Sequence, residues 1–294
     1  MNCSICPRKC NINRSISSGF CLSPNHLVVS KVMLHHFEEP ILTAENEKGS
    51  GAIFFSGCNM RCVYCQNYEI SHKIVGEKVS VEKLVEIFKS LEKAGAGNID
   101  LVSPTHYSNL IIQALKIYKP SVPVVWNSNG YESCETLKQL KGLVDIYLVD
   151  FKYANNQSAI KYSKTPNYVE TAKNALKEMK NQQKTNIFKN GKLVKGIIVR
   201  HLVLPNLAKD STIVLDIIHN ILGKNAIVSI MSQYVPMFEA TKLKEINRKI
   251  TKLEYKLVVN HALKLGLNNS FIQDPDSSCV SYIPDFKNNV FEIK

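Results

Sequence analysis

From Ala52 onward, short apolar runs rich in Val, Ile, Leu and Phe alternate with segments whose apolar residues recur every three or four positions. A short run bounded by turn residues reads as a buried strand, and the 3.6-residue period reads as a helix with one face on a core. The first pair is a strand over 52–56 and a helix over 81–93, capped by Ser80 and closed near Gly95, with Val81, Leu84, Val85, Phe88 and Leu91 on one face. Further strands are expected over 99–103, 122–127, 144–152, 193–204 and 226–231, and helices near 110–118, 134–140, 168–180 and 212–222. Helical periodicity resumes through Leu243, Ile246, Ile250 and Leu253, and again through Leu257 and Leu263. Parallel strands need long crossovers, and crossover helices cover the sheet, so six strand–helix units predict an α/β fold with a parallel sheet. No Gly-x-Gly-x-x-Gly turn is present. An open doubly wound sheet and an incomplete barrel both fit, and both gather chemistry at the carboxyl ends of their strands.

The first strand delivers Cys58-Asn59-Met60-Arg61-Cys62-Val63-Tyr64-Cys65 from that end, a C-x3-C-x2-C spacing. Thiolates are the soft ligands that iron–sulfur clusters select. Three of them hold three corners of a cubane [4Fe–4S] cluster and leave the fourth iron open to a small molecule. A structural zinc site wants four ligands, commonly in C-x2-C pairs, and only three lie close here. Disulfides fit poorly with this tight spacing in a chain that reads as intracellular. Cys134 and Cys279 are the thiols outside the two cysteine groups, and each is a candidate fourth ligand.

A second group, Cys3, Cys6, Cys10 and Cys21, is spaced C-x2-C-x3-C-x10-C and punctuated by Pro7, Gly19 and Pro24. The segment has little core-forming pattern, so a bound metal is its natural staple. Four sulfurs suit a closed zinc site or a fully ligated auxiliary iron–sulfur cluster. Residues 1–45 are accordingly read as a cysteine-rich segment with an extended lead-in over 28–37, and 46–294 as the strand–helix body with a C-terminal helical extension. His35 and His36 in the lead-in read as packing or surface residues.

The chain has 294 residues, enough for a sizeable core, and carries nine cysteines. It lacks an apolar run long enough to span a membrane and starts without a basic-then-apolar leader, so a cytoplasmic setting is expected. The net charge is +12, but the lysines are dispersed with no run of basic residues and no aromatic RNA-recognition signature. This pattern reads as a solvated surface and argues against a nucleic-acid partner.

The stretch Phe54-Phe55-Ser56-Gly57-Cys58-Asn59-Met60-Arg61-Cys62-Val63-Tyr64-Cys65-Gln66-Asn67 resembles the cluster loop of the radical S-adenosylmethionine (radical SAM) enzymes. Together with the N-terminal cysteines, it is most similar to the branch related to pyruvate formate-lyase activating enzyme. The resemblance runs from Cys3 to about Tyr234. It implies a partial (β/α)6 TIM-like barrel, a [4Fe–4S] cluster on Cys58, Cys62 and Cys65, and S-adenosylmethionine on the open iron. It further implies an oxidoreductase in which reductive cleavage yields a 5′-deoxyadenosyl radical that abstracts hydrogen. By the same resemblance the substrate is a glycine of a glycyl radical enzyme, or else another protein or a small molecule. A reduced flavodoxin- or ferredoxin-like protein would supply the electron. A non-catalytic metal protein that binds RNA is the reading from outside enzymology.

The resemblance also assigns cofactor contacts. Asp150 and Lys152, two apart and so on one strand face, match an Asp-x-Lys that positions the methionine moiety. Arg200 matches a fifth-strand motif, and its guanidinium would need a carboxylate partner. His201 falls on the opposite face and reads as packing. Tyr64 is the loop aromatic, and Asn127 and Asn129 lie in a segment where the family more often begins with Asp. Ser103-Pro104-Thr105-His106 replaces a Gly-Gly-Glu that contacts the amino group, leaving Thr105 and His106 as the polar candidates there. No catalytic residue is assigned beyond the cluster ligands. Asp274-Pro275-Asp276 and Cys279 are left without a role.

Overall fold

The computed structural model describes residues 2–273, 284–286 and 288–293. The strands are β1 (Leu27–His35), β2 (Ser50–Phe55), β3 (Glu77–Val79), β4 (Ile99–Val102), β5 (Val124–Ser128) and β6 (Ile146–Asp150). They continue with β7 (Ile187–Lys189), β8 (Lys192–Leu202), β9 (Ile227–Met231), β10 (Ser270–Ile272) and β11 (Phe291–Glu292). The helices are α1 (Tyr68–Ser71), α2 (Val81–Lys93), α3 (Ser108–Ile117) and α4 (Cys134–Gln139). After them come α5 (Asn156–Ser163), α6 (Tyr168–Gln182), α7 (Ala208–Leu222) and α8 (Lys252–Lys264).

The sheet order is β10-β9-β8-β6-β5-β4-β2-β1-β11, parallel from β2 to β10, with β1 antiparallel on β2. A doubly wound sheet reverses its direction of growth midway. Here every successive parallel strand adds on the same side, which is the winding of a barrel. The fold is therefore the partial barrel expected, with a mostly parallel sheet.

The pleat sorts side chains between two clusters. Trp126, Tyr147, Val149, Val199 and Val228 pack outward with Leu84, Phe88, Leu115, Leu176 and Val214 of the helices. Their neighbours Val125, Ile146, Leu148, Ile198 and Ile227 pack inward with Leu42. The period of two carries that inward face on to Asn127, Asp150, Arg200 and Ser229 at the carboxyl ends. An apolar interior thus ends in a polar floor.

α2 begins and ends where its sequence period does, because Ser80 Oγ accepts from Lys83 N and the apolar stripe runs out at the turn. The polar stretch 181–192 is an excursion built around Asn190 and Gly191, both left-handed, joining β7 to β8. The periodicity from Leu243 to Ile250 does not form a helix. Ile246 is buried and its carbonyl accepts from Tyr234 Oη at 2.8 Å, and the helix starts only at Lys252 behind a Thr251–Glu254 capping box. Among the described residues no helix is long and apolar enough to cross a membrane.

Candidate active site

The site grows from the carboxyl end of β2. Gly57 has φ +85°, and a β-carbon there would lie 2.6 Å from the carbonyl oxygen of Cys21, so only glycine allows the chain to turn into the cysteine loop. Backbone bonds then pin the loop to the end of α5, from Arg61 N to Ser163 O at 3.1 Å and from Val63 N to Tyr162 O at 2.8 Å.

Each of the three sulfurs has a hydrogen-bonding neighbour. Met60 N and Asn129 Nδ2 each donate to Cys58 Sγ at 3.4 Å. Ser163 Oγ donates to Cys62 Sγ at 3.0 Å, and Ser71 Oγ lies 3.2 Å from Cys65 Sγ. Burial pushes the Cys58 thiol up to about 12 and the Cys65 thiol to about 11, with Cys62 raised as well. Lys152 pulls all three back toward the thiolate. Tyr64, on the same loop, is buried and shares a 2.6 Å hydrogen bond with Tyr153, whose hydroxyl meets Ser163 Oγ at 2.6 Å.

Opposite the sulfurs stands a charged network on β5, β6 and β8. Asp150 accepts from Lys152 Nζ at 2.8 Å and from Arg200 Nε at 2.9 Å. Arg200 Nη2 donates to Asn127 Oδ1 at 2.6 Å, and its Nη1 reaches Glu38 at 3.5 Å. Burial alone would push the Asp150 carboxyl up, but Arg200 and Lys152 together hold it below the usual carboxylate range. Lys152 and Arg200 are likewise kept cationic: burial opposes their charge, and Asp150 outweighs it together with Cys62 and Tyr168 at Lys152 and with Glu38, Glu39 and Asp100 at Arg200.

These groups share one cavity of about 640 Å³, lined by Cys58, Cys62, Cys65 and Tyr64 on one side. Asn127, Asn129, Asp150, Lys152 and Arg200 line the other. Thr105 and His106 do not line it among the described residues. Thr105 Oγ1 donates to the buried Glu132 at 2.7 Å, and His106 Nε2 bonds Ser56 O at 2.8 Å. His106 instead faces the four N-terminal cysteines. The cause is the turn after β4: Ser103 has φ +56°, and the following 3-10 turn folds Thr105 and His106 into the protein. Cys134 sits at the start of α4, away from the cavity, and Asp274, Asp276 and Cys279 lie outside the described residues.

Sequence reasoning missed several cavity residues. Glu38 and Glu39, just past the extended lead-in over 28–37, both line the cavity, as do His35 and His36. Ser163 was hidden because α5 has a weak apolar stripe, and nothing local announces a partner one hundred residues away. Three hydrogen-bonded sulfurs beside a lysine, with no fourth cysteine among the described lining residues, fit three corners of an iron–sulfur cluster. The cavity beyond them has room and polar groups for a zwitterionic ligand.

A family model described as the Radical SAM superfamily matches residues 52–200. An uncharacterized protein of Methanocaldococcus jannaschii is 33% identical over 279 residues, covering 91% of this chain and 76% of that protein. Among solved structures, methylornithine synthase aligns at a TM-score of 0.51 and 16% identity over 83% of this chain and 65% of that one. A maturase of the [FeFe]-hydrogenase aligns at 0.50 and 14% identity over 73% of this chain and 48% of that one. At such identities the likeness is one of fold, and the chain spans less than two thirds of either structure.

Proposed function

Because the chain belongs to the radical SAM superfamily, whose members use a [4Fe–4S] cluster and S-adenosylmethionine, we propose that Cys58, Cys62 and Cys65 hold the cluster and the facing network binds S-adenosylmethionine. When bound, the pair supplies one-electron cleavage to methionine and a 5′-deoxyadenosyl radical, which takes a hydrogen atom from substrate. The observation that carries the assignment is the set of hydrogen-bonding partners on all three sulfurs across one cavity from Asp150 and Lys152.

The chain's own groups divide the work. Met60 N, Asn129 and Ser163 stabilise negative charge on sulfur and fix the loop. Lys152 offers its ammonium to the cofactor carboxylate, held in place by Asp150. Arg200 already has protein partners, so its role is to hold Asp150 and Asn127 rather than to bind a ligand. Asn127 serves where a carboxylate would otherwise stand, accepting from Arg200 through its amide oxygen. Tyr64 closes the loop side and keeps water out.

The substrate we infer is a glycine in a partner protein, following the resemblance to the activating enzymes of glycyl radical enzymes. What supports a polypeptide is the rim: Phe37 and Ile272 line the cavity yet are 62% and 48% exposed, an apolar edge suited to a protein surface. A net charge of +12 suits an acidic flavodoxin- or ferredoxin-like donor. Every described cysteine is free, which fits a reducing, cytoplasmic setting. Residues 2–26 serve as a metal-bearing segment docked on a barrel that takes in β1 and Leu42 of the lead-in as well as the chain from 46 onward.

Anaerobic incubation with S-adenosylmethionine and a strong reductant should release 5′-deoxyadenosine, and Cys62→Ala should abolish release. With a glycyl radical enzyme deuterated at glycine, deuterium should enter 5′-deoxyadenosine. Release without deuterium would reject the glycine reading and leave the cofactor assignment standing.

A further inference from the structure

We propose that Cys3, Cys6, Cys10 and Cys21 ligate a second iron–sulfur cluster, a [4Fe–4S] centre closed by four thiolates and seated against the back of the Cys58–Cys65 loop. The four cysteines line one small cavity together with Arg8, Arg14 and His106. The sequence brings them near one another only loosely, since Cys10 and Cys21 are separated by ten residues. The backbone completes the cage. Cys3 N donates to Ile12 O at 2.8 Å and Asn11 N to Cys3 O at 3.0 Å, and Phe20 N donates to Cys10 Sγ at 3.5 Å.

Two features of this cage are costly without an occupant. Arg14 Nη2 is buried and has no hydrogen-bond partner among the described residues, while its other nitrogens donate to Ser23 O and His106 O. A cationic donor left over beside four sulfurs is what an anionic metal–thiolate group satisfies. Lys9, Asn11 and Leu22 are all left-handed, with φ of 43°, 51° and 62°, and each adjoins a cysteine of the set. Non-glycine residues keep that conformation only where their surroundings over-determine it. Residues 2–26 contain no helix or strand to do so.

Ligand spacing separates the two candidate metals. Zinc bonds sulfur at about 2.3 Å, which draws four tetrahedral sulfurs to within about 4 Å of one another. Among the described residues, no three His, Cys, Asp or Glu side chains stand close enough to hold one ion. In a cubane each thiolate has its own iron, so the sulfurs stand farther apart around a shared cavity. The four cysteines here line a shared cavity without closing on a single ion, and Cys58, Cys62 and Cys65 do likewise around theirs. Four thiolates leave no open iron, so this centre differs in kind from the one in the main cavity.

The proposal uses other cysteines than the S-adenosylmethionine site and stands independently of it. The test is the full-length protein with Cys58, Cys62 and Cys65 all changed to Ala, reconstituted anaerobically with iron and sulfide and assayed for iron, sulfide and zinc. About four irons and four sulfides per chain are expected, with a reduced EPR signal identical with and without S-adenosylmethionine. One zinc per chain without iron, or no metal at all, would overturn the proposal. Should that variant not fold, the unmodified protein decides: about eight irons per chain by Mössbauer and chemical analysis support it, and about four reject it.

Discussion

The ammonium of Lys152 lies between the Asp150 carboxylate at 2.8 Å and three thiols whose ionised form it favours. In sequence, Asp150-Phe151-Lys152 reads equally as a strand-closing salt bridge and as a ligand pair. The structure makes it a salt bridge that also faces the cavity. Removing a cation beside an anionic cluster disfavours the more negative, reduced state. Lys152→Met should therefore lower the cluster's reduction potential by on the order of tens of millivolts, read by EPR-monitored titration. An unchanged potential would return Lys152 to a purely structural role. His201 was legible as packing, and its ring is buried with Nδ1 at 2.7 Å from Phe151 O. Burial holds that imidazole down at about 4. The unfolded chain then binds the extra proton first, so stability contributed by this residue is lost as pH falls from about 6.5 toward 4. His201→Asn keeps a donor without the titration. Urea unfolding at pH 7 and pH 4.5 should show the variant losing about 2 kcal/mol less than the parent, and equal losses would refute the assignment. Thr105 and His106 show the limit at this scale: their side chains turn inward because Ser103 adopts a left-handed backbone that nothing in its residue type announces.

Elements were legible where local signals and tertiary packing agree. α2 satisfies both, with a serine cap, an apolar stripe and a glycine just beyond its end. The stretch from Leu243 to Ile250 carries the same periodicity, yet its apolar residues are spent on separate contacts, such as Ile246 beneath Tyr234. The start of α8 is fixed instead by Thr251, whose hydroxyl accepts from Glu254 N at 3.1 Å while Glu254 returns a bond to Thr251 N at 2.8 Å. Arg248 adds two bonds to the same carboxylate, at 2.7 and 2.8 Å. Thr251→Ala removes one half of this box and should destabilise the protein by about 1 kcal/mol, measured by denaturant midpoint. Thr251→Ser should recover most of it. Equal losses in both variants would place the effect in the threonine methyl group rather than the cap.

At the scale of the whole molecule, the run of strand–helix units foretold a parallel sheet but fitted two strand orders, and the resemblance to the radical SAM enzymes is what singled out the sequential order of a barrel. How the N-terminal segment meets that barrel was not foreseeable, because its contacts are single polar side chains reaching far along the chain. Arg8 is the main one. Its Nε donates to Asn59 O in the cysteine loop at 2.9 Å, Nη2 reaches Thr165 Oγ1 at 3.3 Å, and the guanidinium lies 3.5 Å from the centre of the Phe20 ring. Arg61 answers from the barrel side by donating to Phe20 O at 2.9 Å. Arg8→Met would keep the stem but lose the charge, both hydrogen bonds and the ring contact, and would leave Asn59 O without that donor. The expected loss is about 2 kcal/mol, with faster proteolysis confined to residues 2–26. Arg8→Lys should rescue little, because an ammonium reaches one acceptor and stacks poorly on a ring. If both variants unfold and resist protease like the parent, the segment is held by its cysteines and backbone contacts alone, and Arg8 does not join it to the site.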